Sequence, residues 1–180
     1  MPSVLIASGI IFYISRSFVF NYLVYENTKH GIQIKYPSNG WQIANPDDFT
    51  GEVLKLFPTN RNKLSSCPLD VFISINDVSE EKIISVDKYK NLVIKKIKNI
   101  SPKSEIIDDS DSATTLSNFK AYELVYTRQD GKCNLRVMEI GTVRDGKAYY
   151  ITYTAEEKQF SELLPTVEKM INSFQIMESN

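Results

Sequence analysis

An α+β domain built mainly from antiparallel strands is the fold class this sequence predicts. Three observations carry it. Two Asp-Gly pairs, Asp130-Gly131 and Asp145-Gly146, separate runs in which apolar and polar residues alternate, the mark of hairpins with antiparallel neighbours. Further strand-like runs precede them. Two stretches, 85–100 and 160–174, instead repeat their apolar residues at three- and four-residue steps and read as helices.

The elements follow in order. Residues 4–24 are apolar with Arg16 as the only charge, long enough as a helix to span a hydrocarbon core. The expectation is a membrane anchor or a truncated export segment, although no Lys or Arg precedes Arg16 as a secretory n-region requires. An ordinary buried first helix is the competing reading. A soluble domain is expected over 25–176, with 177–180 as a tail. Ile32, Ile34 and Tyr36 alternate with polar residues until Pro37 stops the run. Ser38-Asn39-Gly40 is turn chemistry and puts Trp41 at the start of a short extended segment. Val53 to Phe57 reads as another strand, and Leu69, Val71, Ile73 and Ile75 as a strand with one buried face.

Ser85 is a good N-cap, and Asp87 in the first turn complements the helix dipole. Val86, Tyr89, Val93, Ile97 and Ile100 form the apolar stripe of this helix. Its other face carries Lys88, Lys90, Lys95, Lys96 and Lys98. Such a face is usually only solvated; where it acts, it suits an anionic membrane surface or an acidic partner, with Lys88, Lys95 and Lys96 as the docking residues. The stretch from Glu105 to Ser112 reads as a solvated turn. Tyr122 to Tyr126, Leu135 to Val143 and Ala148 to Thr154 make a three-strand meander, the middle strand placing Leu135, Val137, Glu139, Gly141 and Val143 on one face. The closing helix carries Phe160, Leu163, Leu164, Val167, Met170, Ile171 and Phe174, with Pro165 expected near its start.

Composition excludes several function classes. Twenty-one basic against 22 acidic residues give a net charge of −1, which lacks the positive field of a general nucleic-acid binder. No GxSxG, Walker, GxGxxG or HExxH motif is present, and His30 is the only histidine, so no enzyme is expected. Cys67 and Cys133 lack CxxC partners and exclude a structural zinc site. They are read as two independent thiols, with one disulfide as the alternative in an oxidising compartment. Asp108, Asp109 and Asp111 could collect a hard cation such as calcium through carboxylate oxygens, but the Gly and distal Glu of an EF-hand loop are missing. No cofactor is required.

Several segments in fixed order resemble the PsbP family of extrinsic photosystem II proteins and their cyanobacterial relatives. They are Tyr25-x-Asn27, Gly31-Ile32-x-Ile34-x-Tyr36-Pro37 and Trp41; Leu56-Phe57-Pro58; Ser85-Val86-x-x-Tyr89; and Thr114-Thr115-Leu116 before Ala121-Tyr122-x-Leu124-x-Tyr126. Lys147 to Ala155 and Met170-Ile171-x-Ser173-Phe174 close the series. Asn118 stands where the family usually places Gly, and Asn is the next best residue for that backbone. The resemblance implies an α/β/α sandwich with a central six-stranded, mainly antiparallel sheet, an architecture shared with Ran-binding Mog-type proteins. It further implies a non-enzymatic role on the lumenal membrane face, with photosystem II subunits or other membrane proteins as partners and residues 4–24 as membrane contact. There the protein would support calcium and chloride retention, or assembly. A similar domain also ends membrane-anchored proteins, serine/threonine kinases included, which makes an extracytoplasmic sensor or scaffold the alternative. Family cation sites that use histidines do not carry over, since His30 matches none of them.

Overall fold

The computed structural model describes residues 21–44, 51–60, 66–79, 85–109 and 114–177. Most of the apolar lead at 4–24 and the third aspartate, Asp111, lie outside those residues. Where the lead is described, it is strand: β1 (Tyr22–Asn27) pairs antiparallel with β2 (Ile32–Pro37), and a short β12 (Gln175–Ile176) pairs with the other edge of β2. No helix among the described residues is long and apolar enough to cross a membrane.

The main sheet has seven strands, one more than expected. They are β3 (Trp41–Ala44), β4 (Glu52–Pro58), β5 (Asp70–Asp77), β6 (Ile106–Asp108), β9 (Tyr122–Asp130), β10 (Cys133–Arg144) and β11 (Lys147–Glu156), in the order β3-β4-β5-β11-β10-β9-β6. Every neighbouring pair is antiparallel. The extra strand is β6, in the stretch read as a solvated turn. Its β-branched Ile106-Ile107 pair extends the edge of β9, and the Thr127 N–H donates to the Glu105 carbonyl at 2.9 Å.

Helix α1 (Val86–Ile100) covers one face of this sheet; α2 (Glu157–Asn172) and the three-stranded sheet cover the other. This α+β sandwich has two cores because the strand residues alternate sides. Val71, Ile73, Ile151, Tyr153 and Ile140 meet Phe160, Val167, Met170 and Phe174 on the α2 side. Leu124, Val137, Tyr122 and Ala148 meet Val86, Tyr89 and Ile97 on the α1 side. Ser85 caps α1 as expected, its hydroxyl accepting the Lys88 N–H.

Two local readings change. Pro165 lies well inside α2, which already starts at Glu157; the buried stripe on either side holds the helix together despite the missing N–H. Cys67 and Cys133 are joined in a disulfide with Cα atoms 5.7 Å apart, so they are not independent thiols. The pairing tethers the segment before β5 to the start of β10.

Hairpin chemistry sets the registers. Asp145 and Gly146 both have positive φ and join Arg144 to Lys147 as a type I′ turn. Between the two-residue strands β7 (Thr115–Leu116) and β8 (Phe119–Lys120), Ser117 and Asn118 do the same at φ 54° and 65°. Asn118→Val is expected to cost roughly 1–2 kcal/mol, because a β-branched side chain resists this backbone. A urea titration checks this, and an unchanged midpoint would contradict the strain argument.

Candidate functional site

Helix α1 packs on β9 and β10 and leaves a cleft of about 470 Å³ between itself and the β5 and β11 half of the sheet. Alternation explains the character of its floor. The residues of β5 that line it are Asp70, Phe72 and Ser74, and those of β11 are Tyr150, Thr152 and Thr154, mostly polar positions of which only Tyr150 packs against the α1-side core.

At the base of the cleft sits Glu139, 8% exposed, opposite Leu124 on β9 and Thr152 on β11. The Tyr122 hydroxyl donates to its Oε1 at 2.6 Å. Tyr122 reaches it because the cross-strand partner of this tyrosine is Gly141, over whose bare Cα the ring lies, leaving no room for a Cβ. Tyr89 from α1 flanks that ring at a centroid distance of 6.0 Å, and Tyr150 lies 6.4 Å from Tyr89. The Asn76 amide donates to the Tyr150 hydroxyl at 3.0 Å.

Electrostatics follow from burial. Loss of solvent pushes the Glu139 carboxyl above its ordinary 4.5, while the Tyr122 hydrogen bond and the Lys96 charge act the other way. Burial and the neighbouring Glu139 push the Tyr122 phenol well above 10, so it stays a donor. Asp70, also buried, is met by Lys55 at 3.2 Å, whose ammonium also lies over the Phe72 ring.

These shifts give a pH prediction. The folded protein retains the Glu139 proton where the unfolded chain has lost it, so folding loses stability as pH rises from 4.5 through the raised value. Glu139→Gln removes that loss. The stability of the variant relative to wild type is expected to grow across this window by at most about 1.4 kcal/mol per pH unit and to level off above it. Urea unfolding at a series of pH values checks this; a gap independent of pH would contradict it.

The residues singled out by sequence scatter. Lys88, Lys95 and Lys96 are exposed on α1, and Lys96 also borders the cleft. Lys90 leaves the basic face: it is buried and ion-paired with Asp109. Lys98 donates to the Ser104 carbonyl at 2.9 Å. That pairing with Lys90 occupies one of the candidate calcium carboxylates. Asp108 lies on β6, where its charge, with that of Glu168 and with burial as the largest cause, raises the Glu123 carboxyl. Among the described residues no three acidic, His or Cys side chains converge as a metal site. His30 sits in the turn between β1 and β2, its imidazole pKa lowered by burial and by Lys29 and Lys147, and it does not line the cleft.

Glu139 shares a strand face with Leu135 and Val137, as the alternation predicts, but the sequence alone assigns it no role. The available signal was an acidic residue in an otherwise apolar alternating stripe, between Val137 and Gly141.

Comparisons with known proteins agree on the architecture. A family model described as PsbP-like protein matches residues 12–176. The solution structure of cyanobacterial PsbP (CyanoP) from Synechocystis sp. PCC 6803 superposes with a TM-score of 0.64 at 16% identity, covering 93% of this chain and 99% of that one. The Saccharomyces cerevisiae Ran-binding protein Mog1p gives 0.61 at 7% identity, covering 88% and 97%. LpqN of Mycobacterium tuberculosis, involved in cell envelope biogenesis, gives 0.54 at 14%, covering 91% and 88%. No curated protein sequence matches the chain. At these identities the structural likenesses establish the fold alone.

Proposed function

The chain belongs to the PsbP-like protein family, and on that premise we propose that it is a non-catalytic extrinsic protein of the lumenal membrane face. There it binds photosystem II subunits and supports the oxygen-evolving complex, or its assembly, with indirect effects on calcium and chloride retention. The carrying observation is the family match over 12–176, joined by a CyanoP likeness that spans nearly all of both chains. The Cys67–Cys133 disulfide supports the location, since such bonds persist in oxidising compartments outside the cytosol. Binding and positioning suit a chain whose one histidine lies away from the main cleft.

The test is a deletion strain and a tagged full-length chain. Co-purification with photosystem II membranes, and a loss of oxygen evolution that is worst at low calcium, are expected. Unaltered oxygen evolution together with absence from those membranes would overturn the reading. It would favour the second one, an extracytoplasmic sensor or scaffold tethered through residues 4–24, which the apolar composition of that lead supports.

Docking is assigned to the exposed face of α1. Changing Lys88, Lys95 and Lys96 together to Glu reverses three exposed charges, and because Lys96 also borders the cleft and acts on Glu139, the Lys88 and Lys95 pair is changed alone as a control. Binding to photosystem II membranes in a pull-down is expected to fall about tenfold or more and to lose most of its salt dependence. Unchanged binding would remove this surface from consideration.

A further inference from the structure

Two buried polar groups on the wall of the cleft lack hydrogen-bond partners. Ser104 is 3% exposed and its Oγ is unpaired, and the Nε of Arg128 is likewise shut off from solvent and unpaired. The chain brings them to one end. Glu105 exchanges hydrogen bonds with Thr127, its N–H donating to the threonine hydroxyl at 3.1 Å and its carbonyl accepting the threonine N–H at 2.9 Å. That exchange sets Ser104 beside the strand position of Arg128. A buried polar group without a partner costs about 1–3 kcal/mol, so two at one place mark a site that something else completes.

The cleft also has an apolar wall. Val93 and Ile97 of α1 face Phe72 across it, and Ile100, 71% exposed at the end of the helix, stands at the mouth. The volume lies in the range that holds a small organic molecule.

We propose that this cleft binds an amphipathic carboxylic acid, its carboxylate on the Arg128 guanidinium and Ser104 hydroxyl and its apolar body between Phe72 and the Val93–Ile97–Ile100 edge of α1. Charge selects the class. A guanidinium fork matches a carboxylate in two parallel hydrogen bonds, and no carboxylate pairs with Arg128 among the described residues. The three acids of the cleft do not oppose it there: Lys55 meets Asp70, Tyr122 and Lys96 attend Glu139, and Glu52 lies on β4 at the register of Tyr122, six residues along the sheet from Arg128. This end of the cleft is the C-terminal end of α1, where the negative helix dipole opposes every anion and a phosphate dianion more than a carboxylate, so the guanidinium has less to offset for a carboxylate. Small torsional changes of Ser104 and Arg128 present their unpaired atoms to the ligand. The site is independent of photosystem II binding and goes beyond it.

Decanoate and the uncharged decanol serve as probes, titrated into the full chain by calorimetry and by amide NMR shifts. Saturable decanoate binding is expected, with shifts at cleft residues and decanol at least about tenfold weaker, as loss of charge-assisted hydrogen bonds implies. Arg128→Gln is expected to weaken decanoate about tenfold and leave decanol unchanged. Ile100→Glu, at an exposed position that leaves the fold alone, is expected to weaken decanoate by placing a like charge at the mouth. No decanoate binding at millimolar concentration, equal affinity for acid and alcohol, or an indifferent Arg128→Gln variant with native circular dichroism would each overturn the assignment.

Discussion

Replacing Cys67 and Cys133 by serine is expected to lower the unfolding free energy by about 4 kcal/mol and the melting temperature by roughly 10 °C. The figure comes from chain entropy. The bond closes a loop with a sequence separation of 66, and freeing that loop restores to the unfolded chain most of the conformations the crosslink denies it. The bond joins two parts of the main sheet, since Pro68 and Leu69 lead directly into β5 and Cys133 pairs with Asp130 across the hairpin. Wild-type protein in excess reductant should behave like the double variant. Thermal and urea unfolding with and without reductant measure both, and a difference under about 1 kcal/mol would show that the disulfide is dispensable to the fold.

Gly141→Ala is the second large effect. A Cβ at that position would lie 2.6 Å from Cε1 of Tyr122 and 2.7 Å from its Cζ and hydroxyl oxygen. The ring has nowhere to go: Tyr122 is 1% exposed, with Tyr89 packed beside it. Overpacking of this kind costs about 1–3 kcal/mol. Displacing the phenol also strands Glu139, adding about 1–3 kcal/mol for a buried acceptor without its donor. The expected total is about 2–6 kcal/mol. A double-mutant cycle isolates the cause, because in a Tyr122→Ala background the same substitution should cost less than about 1 kcal/mol. Equal costs in both backgrounds would refute the ring–glycine explanation.

Much of this architecture is legible in the sequence because periodicity reports burial directly. The strand at Leu69, Val71 and Ile73, the three-strand meander and most of both helical stripes appear where the alternation and the three- and four-residue steps put them, but Ile100 ends its stripe 71% exposed and Phe174 is buried beyond the end of α2. The misses have physical causes. Ile106-Ile107 pairs as an edge strand, but the aspartates after it make the stretch read as solvent-facing. Leu23 and Val24, both about half exposed, belong to β1 yet extend an apolar run that mimics a membrane segment. Pro165 is misplaced because the first turns of α2 (Glu157 to Ser161) are polar on their exposed side, so the helix seems to begin later.

The candidate site is less legible still. A cleft exists only once β5 and β11 become neighbours, a pairing of residues from 70 (Asp77 with Lys147) to 84 (Asp70 with Thr154) positions apart. The Cys67–Cys133 bond and the proximity of Ser104 to Arg128 depend on the same tertiary closure, which no local pattern encodes.

The crosslink also makes part of the chain a closed ring. Helix α1, which roofs the cleft, and strands β6 to β9 all lie between Cys67 and Cys133, so both ends of that stretch are fastened to one covalent point. The roof can shift to admit a ligand but cannot detach as a free arm. A single protease cut anywhere inside the ring therefore leaves one molecule, which runs as a single species on a non-reducing gel and separates into two only when thiol is added. Damage to this segment would stay hidden from size-based assays, and the protein could continue to present its docking face after its backbone had been severed.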